Sequence, residues 1–101
     1  MNNILMLKKY ELTIVLNEEF NENELKAWGF NYAKNLRKFS MCDISVISRG
    51  KENLAYPIKN KEKGNYLQLN FLSMPKYIND LLNPLKMDSN VLRFLILNKQ
   101  K

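Results

Sequence analysis

The stretch that decides the fold runs from Gly50 to Phe71 and reads GKENLAYPIKNKEKGNYLQLNF. Its first part, Leu54-Ala55-Tyr56-Pro57-Ile58, alternates large and small side chains as a strand does, and Tyr66-Leu67-Gln68-Leu69-Asn70-Phe71 alternates polar with apolar. This period of two sends Leu67, Leu69 and Phe71 to one face and Tyr66, Gln68 and Asn70 to the other, so the sheet has one dry face and one semi-polar face. Pro57 has no N–H to give to a ladder, which places the first strand at a sheet edge or at a bulge. Asn60-Lys61-Glu62-Lys63-Gly64 between them reads as a basic loop closed by a glycine free to take a positive φ. The segment is a β-hairpin with Lys59, Lys61 and Lys63 gathered at its tip.

Before the hairpin, Tyr10, Leu12, Ile14 and Leu16 fall on one face of a strand, with Glu11, Thr13 and Val15 on the other. Asn21 followed by Glu24 forms a capping box, and Leu25, Trp28, Tyr32, Leu36 and Phe39 then recur at helical spacing, with Arg37 and Lys38 in the last turn. The spacing predicts a helix from about Glu22 to Phe39. Gly29 inside it costs about 1 kcal/mol against alanine, which implies close packing on the sheet. Cys42 to Ser48 alternates again through Ile44 and Val46, and Arg49-Gly50 reads as a bulge before the strand resumes at Leu54, giving one long bent strand. After the hairpin, Ser73 and Pro75 open a second helix with the apolar stripe Ile78, Leu81, Leu82 and Leu85. Pro84 crowds the carbonyl of Asp80 and predicts a kink or a stop there. Val91 to Leu97 is a final strand, followed by a short basic tail to Lys101.

The order strand, helix, strand, strand, helix, strand is the split βαβ, or ferredoxin-like, arrangement of the α+β class. Two right-handed crossovers put strands one and three at the centre of a four-stranded antiparallel sheet, with both helices on one face. The other face is left open. The 101 residues suffice for one domain, 1–101, with an ordered core expected over about 8–98.

Composition narrows the function. A hydrophobic share of 46% with 26% charged residues is that of a globular protein, and a net charge of +6 favours an anionic partner. There is no histidine, the single Cys42 has no second cysteine to pair with, and no Gly-rich phosphate loop is present, which argues against an enzyme, a metal site, a cofactor or a small-molecule substrate. The acidic residues Glu18, Glu19, Glu22 and Glu24 precede or open a helix, where its dipole favours them. No run approaches the roughly 20 apolar residues of a membrane span, and the opening nine residues read neither as a secretory signal nor as a transit peptide. The expectation is a soluble protein made where it works. Thirteen lysines against three arginines, with fifteen asparagines, is a bias typical of AT-rich coding and suggests an organelle gene, a plastid first, or an AT-rich bacterium.

The hairpin resembles the central motif of the bacterial and organellar small-subunit ribosomal protein six family: a glycine, a polar run, Leu-Ala-Tyr-x-Ile, a basic loop, then glycine and an aromatic strand. Tyr10-Glu11-Leu12 resembles that family's opening strand, and Asp88-Ser89-Asn90-Val91-Leu92-Arg93 its last turn and strand, so the likeness spans roughly Tyr10 to Lys99. The family commonly has consecutive basic residues just before Leu-Ala-Tyr, where this chain has Glu52-Asn53. The resemblance implies a structural role in the small ribosomal subunit, contact with its platform RNA, and pairing with ribosomal protein eighteen of that subunit. Lys8, Lys9, Lys86 and Arg93 occupy positions matching the family's basic RNA contacts, with Lys99 beside them in the chain's last basic group. Lys59, Lys61 and Lys63 form a second candidate set.

Strand parity independently turns Phe94 and Ile96 toward the helices and leaves Arg93, Leu95 and Leu97 on the open side, beside the chain's basic start if strands one and four are neighbours. Val15, Leu95 and Leu97, with Tyr66 nearby, form an apolar patch that a partner protein should cover. Two rival readings share this strand order: a single-strand RNA reader of the RNP type, whose third strand needs several exposed aromatics where this chain offers Tyr66, and a ferredoxin-like dimerisation domain that binds no RNA.

Overall fold

The computed structural model describes residues 7–39 and 41–99. Its elements are β1 (Lys8–Asn17), α1 (Glu22–Lys38), β2 (Cys42–Ile58), β3 (Lys61–Ser73), a 3₁₀ turn (Pro75–Tyr77) leading into α2 (Ile78–Met87), and β4 (Val91–Asn98). The sheet is fully antiparallel in the order β2-β3-β1-β4, with strands one and three central as the two crossovers require. The opening residues 1–6 and Lys101 of the basic tail lie outside the described residues.

One face of the sheet carries the core. Leu12, Ile14, Leu16, Leu67 and Leu69 have no exposed surface, Phe71 is nearly as buried, and Leu25, Leu36, Leu81 and Leu85 close over them from the two helices. Phe94 and Ile96 pack against the same core, as their parity requires. Gly29 is where α1 lies closest to the strands: a Cβ there would stand 3.1 Å from a Val46 methyl and 3.2 Å from one of Leu67. The capping box is formed in full, the Asn21 side chain accepting from the Glu24 N–H at 2.8 Å and the Glu24 carboxylate from the Asn21 N–H at 2.9 Å.

Pro84 neither stops nor shortens α2, which runs on to Met87. The helix around it is tied to α1 by the Tyr32 hydroxyl, which donates to the Leu81 carbonyl at 2.9 Å. Burial pushes the Tyr32 hydroxyl pKa well above its ordinary value.

β2 is one long strand at the sheet edge, and its ladder shifts register between Ser48 and Gly50, where Gly50 takes φ +77°. The hairpin differs from the expected five-residue loop. Ile58 pairs with Lys61, and the connection is Lys59-Asn60 alone, at φ 51° and 65°, the two left-handed residues that a type I′ loop demands. Lys61 and Lys63 therefore belong to β3, and Gly64 is not a turn residue. Gly64 is needed for space: a Cβ there would come within 2.5 Å of a Val15 methyl.

Candidate nucleic-acid and partner interface

β1 ends at Asn17 opposite Gly64, so the hairpin overhangs the sheet beyond that end of β1. Antiparallel pairing of β4 with β1 then sorts the candidate basic residues into two groups. Tyr10 faces Asn98, and the Lys99 N–H donates to the Lys9 carbonyl at 2.7 Å, so Lys8, Lys9 and Lys99 share one end. Arg93 faces Val15, five positions further along β1 from Tyr10, which is about 17 Å at strand spacing. The strands are neighbours as expected, but the start of β4 lies against the end of β1, which keeps Arg93 away from Lys8 and Lys9. Arg93 instead shares its end of the sheet with the overhanging hairpin and its Lys59, Lys61 and Lys63. Lys86 sits in the last turn of α2, in the helical layer.

Arg93 is held by a residue from the far edge strand. Its Nη1 donates to the Tyr56 hydroxyl at 3.2 Å, and the guanidinium carbon lies 6.0 Å from the centre of the Tyr56 ring. The ladder explains how an edge strand reaches across. Asn53 pairs with Lys63 and Ile58 with Lys61, so the four residues Leu54 to Pro57 oppose Glu62 alone, and this wide bulge carries Tyr56 to β4. Pro57 sits inside that bulge, where no ladder N–H is required. Among the described residues Arg93 meets no carboxylate, so most of its five donors stay available.

A second arginine–tyrosine pair stands nearby. The Arg49 guanidinium is 5.7 Å from the Tyr66 ring centre and 3.5 Å from the Glu52 carboxylate. Glu52, the acidic residue where the family is commonly basic, is thus engaged by a neighbouring arginine. A cavity of about 150 Å³ is lined by Thr13, Val15, Tyr66, Arg93, Phe94 and Leu95. Val15 has open-face parity but is only 2% exposed, a correction to its place in the apolar patch. It is covered because Leu54, brought in by the bulge, and Val15 converge on the space that Gly64 leaves empty. Leu95 and Leu97 are 50% and 41% exposed, and Ile47 on the opposite edge is 44% exposed. Between them Gln68, Asn70 and Ser45 form a hydrogen-bonded polar stripe. Arg49, Tyr56 and Ile47 were not singled out as site residues from the sequence. The Leu-Ala-Tyr segment was the signal for Tyr56, but its reach depends on a bulge that periodicity does not reveal.

This arrangement offers charge-bearing donors and apolar edges on one surface. The family model for Ribosomal protein S6 matches residues 9–98. The chain belongs to the ribosomal protein S6 family. It is 74% identical over 95 residues to the small ribosomal subunit protein bS6c of Phaeodactylum tricornutum, covering 94% of this chain and 97% of that protein. The protein of the same name from Trieres chinensis is 65% identical, over 91% of this chain and 96% of its own length. In fold, the chain matches a crystal structure of 30S ribosomal protein S6 from Thermotoga maritima with a TM-score of 0.84, covering 92% of this chain and 88% of the other at 19% identity. The stretch matched by the family takes in Lys9, Lys86 and Arg93 and the whole hairpin, and leaves Lys8 and Lys99 just outside.

Proposed function

We propose that this member of the S6 family, a structural constituent of the small ribosomal subunit, binds platform ribosomal RNA through its basic ends while its open sheet face docks ribosomal protein eighteen. The observation that carries the reading is Arg93: an arginine that meets no carboxylate among the described residues, held by Tyr56, beside exposed Leu95 on the sheet face that the two helices leave uncovered. Guanidinium forks suit phosphate, and exposed leucines suit a protein, so one end of the face can serve a composite surface. Phosphate contacts position such an assembly without reading sequence. The high identity to the bS6c proteins of Phaeodactylum tricornutum and Trieres chinensis supports a plastid ribosome as its place of work. The RNP-type reading is disfavoured because the open-face positions of β3 are Tyr66, Gln68 and Asn70, with the two amides bonded to each other.

If the RNA contact is electrostatic, the binding constant of the paired proteins on platform RNA falls steeply with salt, with a log–log slope of about −0.7 to −0.9 for each phosphate contact. A slope near zero refutes the RNA half of the proposal. Undiminished binding of protein eighteen to Leu95→Lys refutes the docking half.

A further inference from the structure

On the helical layer, opposite the sheet face, the seam between α1 and α2 opens into two adjoining cavities of about 160 and 240 Å³. Both are lined by Tyr32, Asn35 and Pro84, so they form one groove. Trp28 and Tyr32 line it from α1, their rings stacked with centres 5.2 Å apart and planes 12° from parallel. Several exposed polar groups line it. Asn31 and Asn35, one turn apart on α1, both line the groove at its Trp28 end, and neither amide has a partner among the described residues. Asp80 on α2 is likewise unpartnered, and Pro84, having no N–H, leaves the Asp80 carbonyl without its helical donor. At the other end Asp88 is held in place, one carboxylate oxygen accepting from the Trp28 indole N–H at 3.3 Å and the other from the Asn90 N–H at 2.9 Å.

We propose that this groove is a second docking surface, one that takes an extended, lysine- or arginine-bearing segment of another protein. Two amides at i and i+4 stand about 6 Å apart along the helix, and an extended peptide presents the same backbone edge every second residue, about 6.7 Å apart. Each carboxamide offers one donor and one acceptor to that edge. On the α2 side Asp80 and, just past the helix end, Asp88 supply carboxylates that flank the apolar Leu81, Pro84 and Leu85, and their separation of about 12 Å at helical rise spans about four residues of extended chain. Lys38 lines the same cavity as Asp80 at the Phe39 end, so the groove carries two carboxylates against one lysine. Two carboxylates repel a phosphate backbone, so charge selects a basic peptide over RNA, in contrast to the rest of a surface whose net charge is +6.

Trp28 is the one tryptophan of the chain and lines the groove, so its fluorescence reports occupancy. The probe is a set of end-blocked Gly/Ser decapeptides, each with two lysines, spaced two to six residues apart, titrated into the full chain. The expected result is a saturable change below about 1 mM, strongest at a spacing of four. Asn35→Ala and Asp80→Ala should each weaken it by about tenfold, with unfolding midpoints unchanged because both side chains are exposed. Absence of saturation at every spacing, equal binding by glutamate versions, or a titration unaltered by both substitutions overturns the proposal. So does a single-stranded RNA oligomer that gives the same Trp28 response. None of these outcomes depends on the reading of the sheet face.

Discussion

The two faces of the sheet are made from alternate residues of the same strands, yet they end in opposite states. On the helix side Leu12, Ile14, Leu67 and Leu69 are completely buried, while on the other side Leu95 and Leu97 keep about half of their surface in water. The difference lies in what each face is given to pack against. Two helices finish the first face within the chain, whereas the second is finished only at one end, where the β2 bulge covers Val15 and brings Tyr56 to Arg93. Strand parity thereby separates a helix-covered core face from a half-exposed one, with a small buried cluster marking the boundary.

Paired substitutions test that separation most forcefully. Leu69→Ala should cost about 2–5 kcal/mol in urea unfolding, because a fully buried leucine leaves a cavity. Leu95→Lys should change stability by no more than about 0.5 kcal/mol yet weaken docking of the partner protein. Comparable losses of stability from both would mean that the open face is part of the folding core.

The boundary itself is probed by Gly64→Ala. The added Cβ would stand 2.5 Å from a Val15 methyl and 3.2 Å from the Leu16 carbonyl oxygen, and a buried β-branched side chain has little room to turn away. A loss of about 1–3 kcal/mol is expected by differential denaturation. An unchanged midpoint would show that Val15 is loosely held and that the cluster is not packed.

A smaller effect is expected in the helical layer. Tyr32→Phe removes the hydrogen bond to the Leu81 carbonyl and should cost about 1 kcal/mol. Burial raises the pKa of Tyr32, so the protonated hydroxyl is favoured in the folded state. That contribution is complete below tyrosine's ordinary value of about 10 and is lost as pH rises beyond it. Stability measured from about pH 9 upward should therefore fall more steeply in the parent than in Tyr32→Phe. Tyr10, raised by burial in the same direction, leaves a residual slope in both. Parallel profiles would exclude Tyr32 as a source of alkaline sensitivity.

Much of the fold was legible because it rests on local chemistry with short periods. The alternation in β1, β3 and β4, the capping box at Asn21 and the tight seat of Gly29 each follow from a few neighbouring residues. Pro57 likewise announced an edge or a bulge, and it occupies both. What escaped were features that depend on counting residues across strands. The four-against-one bulge at Leu54–Pro57 is invisible to periodicity, and with it went the Tyr56–Arg93 contact and the burial of Val15. The hairpin tip was misplaced because Gly64 looked like the turn residue, whereas Lys59-Asn60 turns the chain without the usual glycine. The grouping of the basic residues followed strand direction: antiparallel pairing set Lys99, and not Arg93, beside Lys9.

The claim that the open face works through Arg93 is tested most directly by RNA binding. Affinity for platform RNA, measured together with protein eighteen across a salt series, should drop in Arg93→Lys although charge is kept, because an ammonium does not reproduce the guanidinium fork. It should drop further in Arg93→Ala, with a salt slope shallower by about 0.7–0.9. Lys34→Ala, exposed on α1 away from the sheet, is the control and should change little. Equally small losses for Arg93→Ala and Lys34→Ala, with identical salt slopes, would contradict the account.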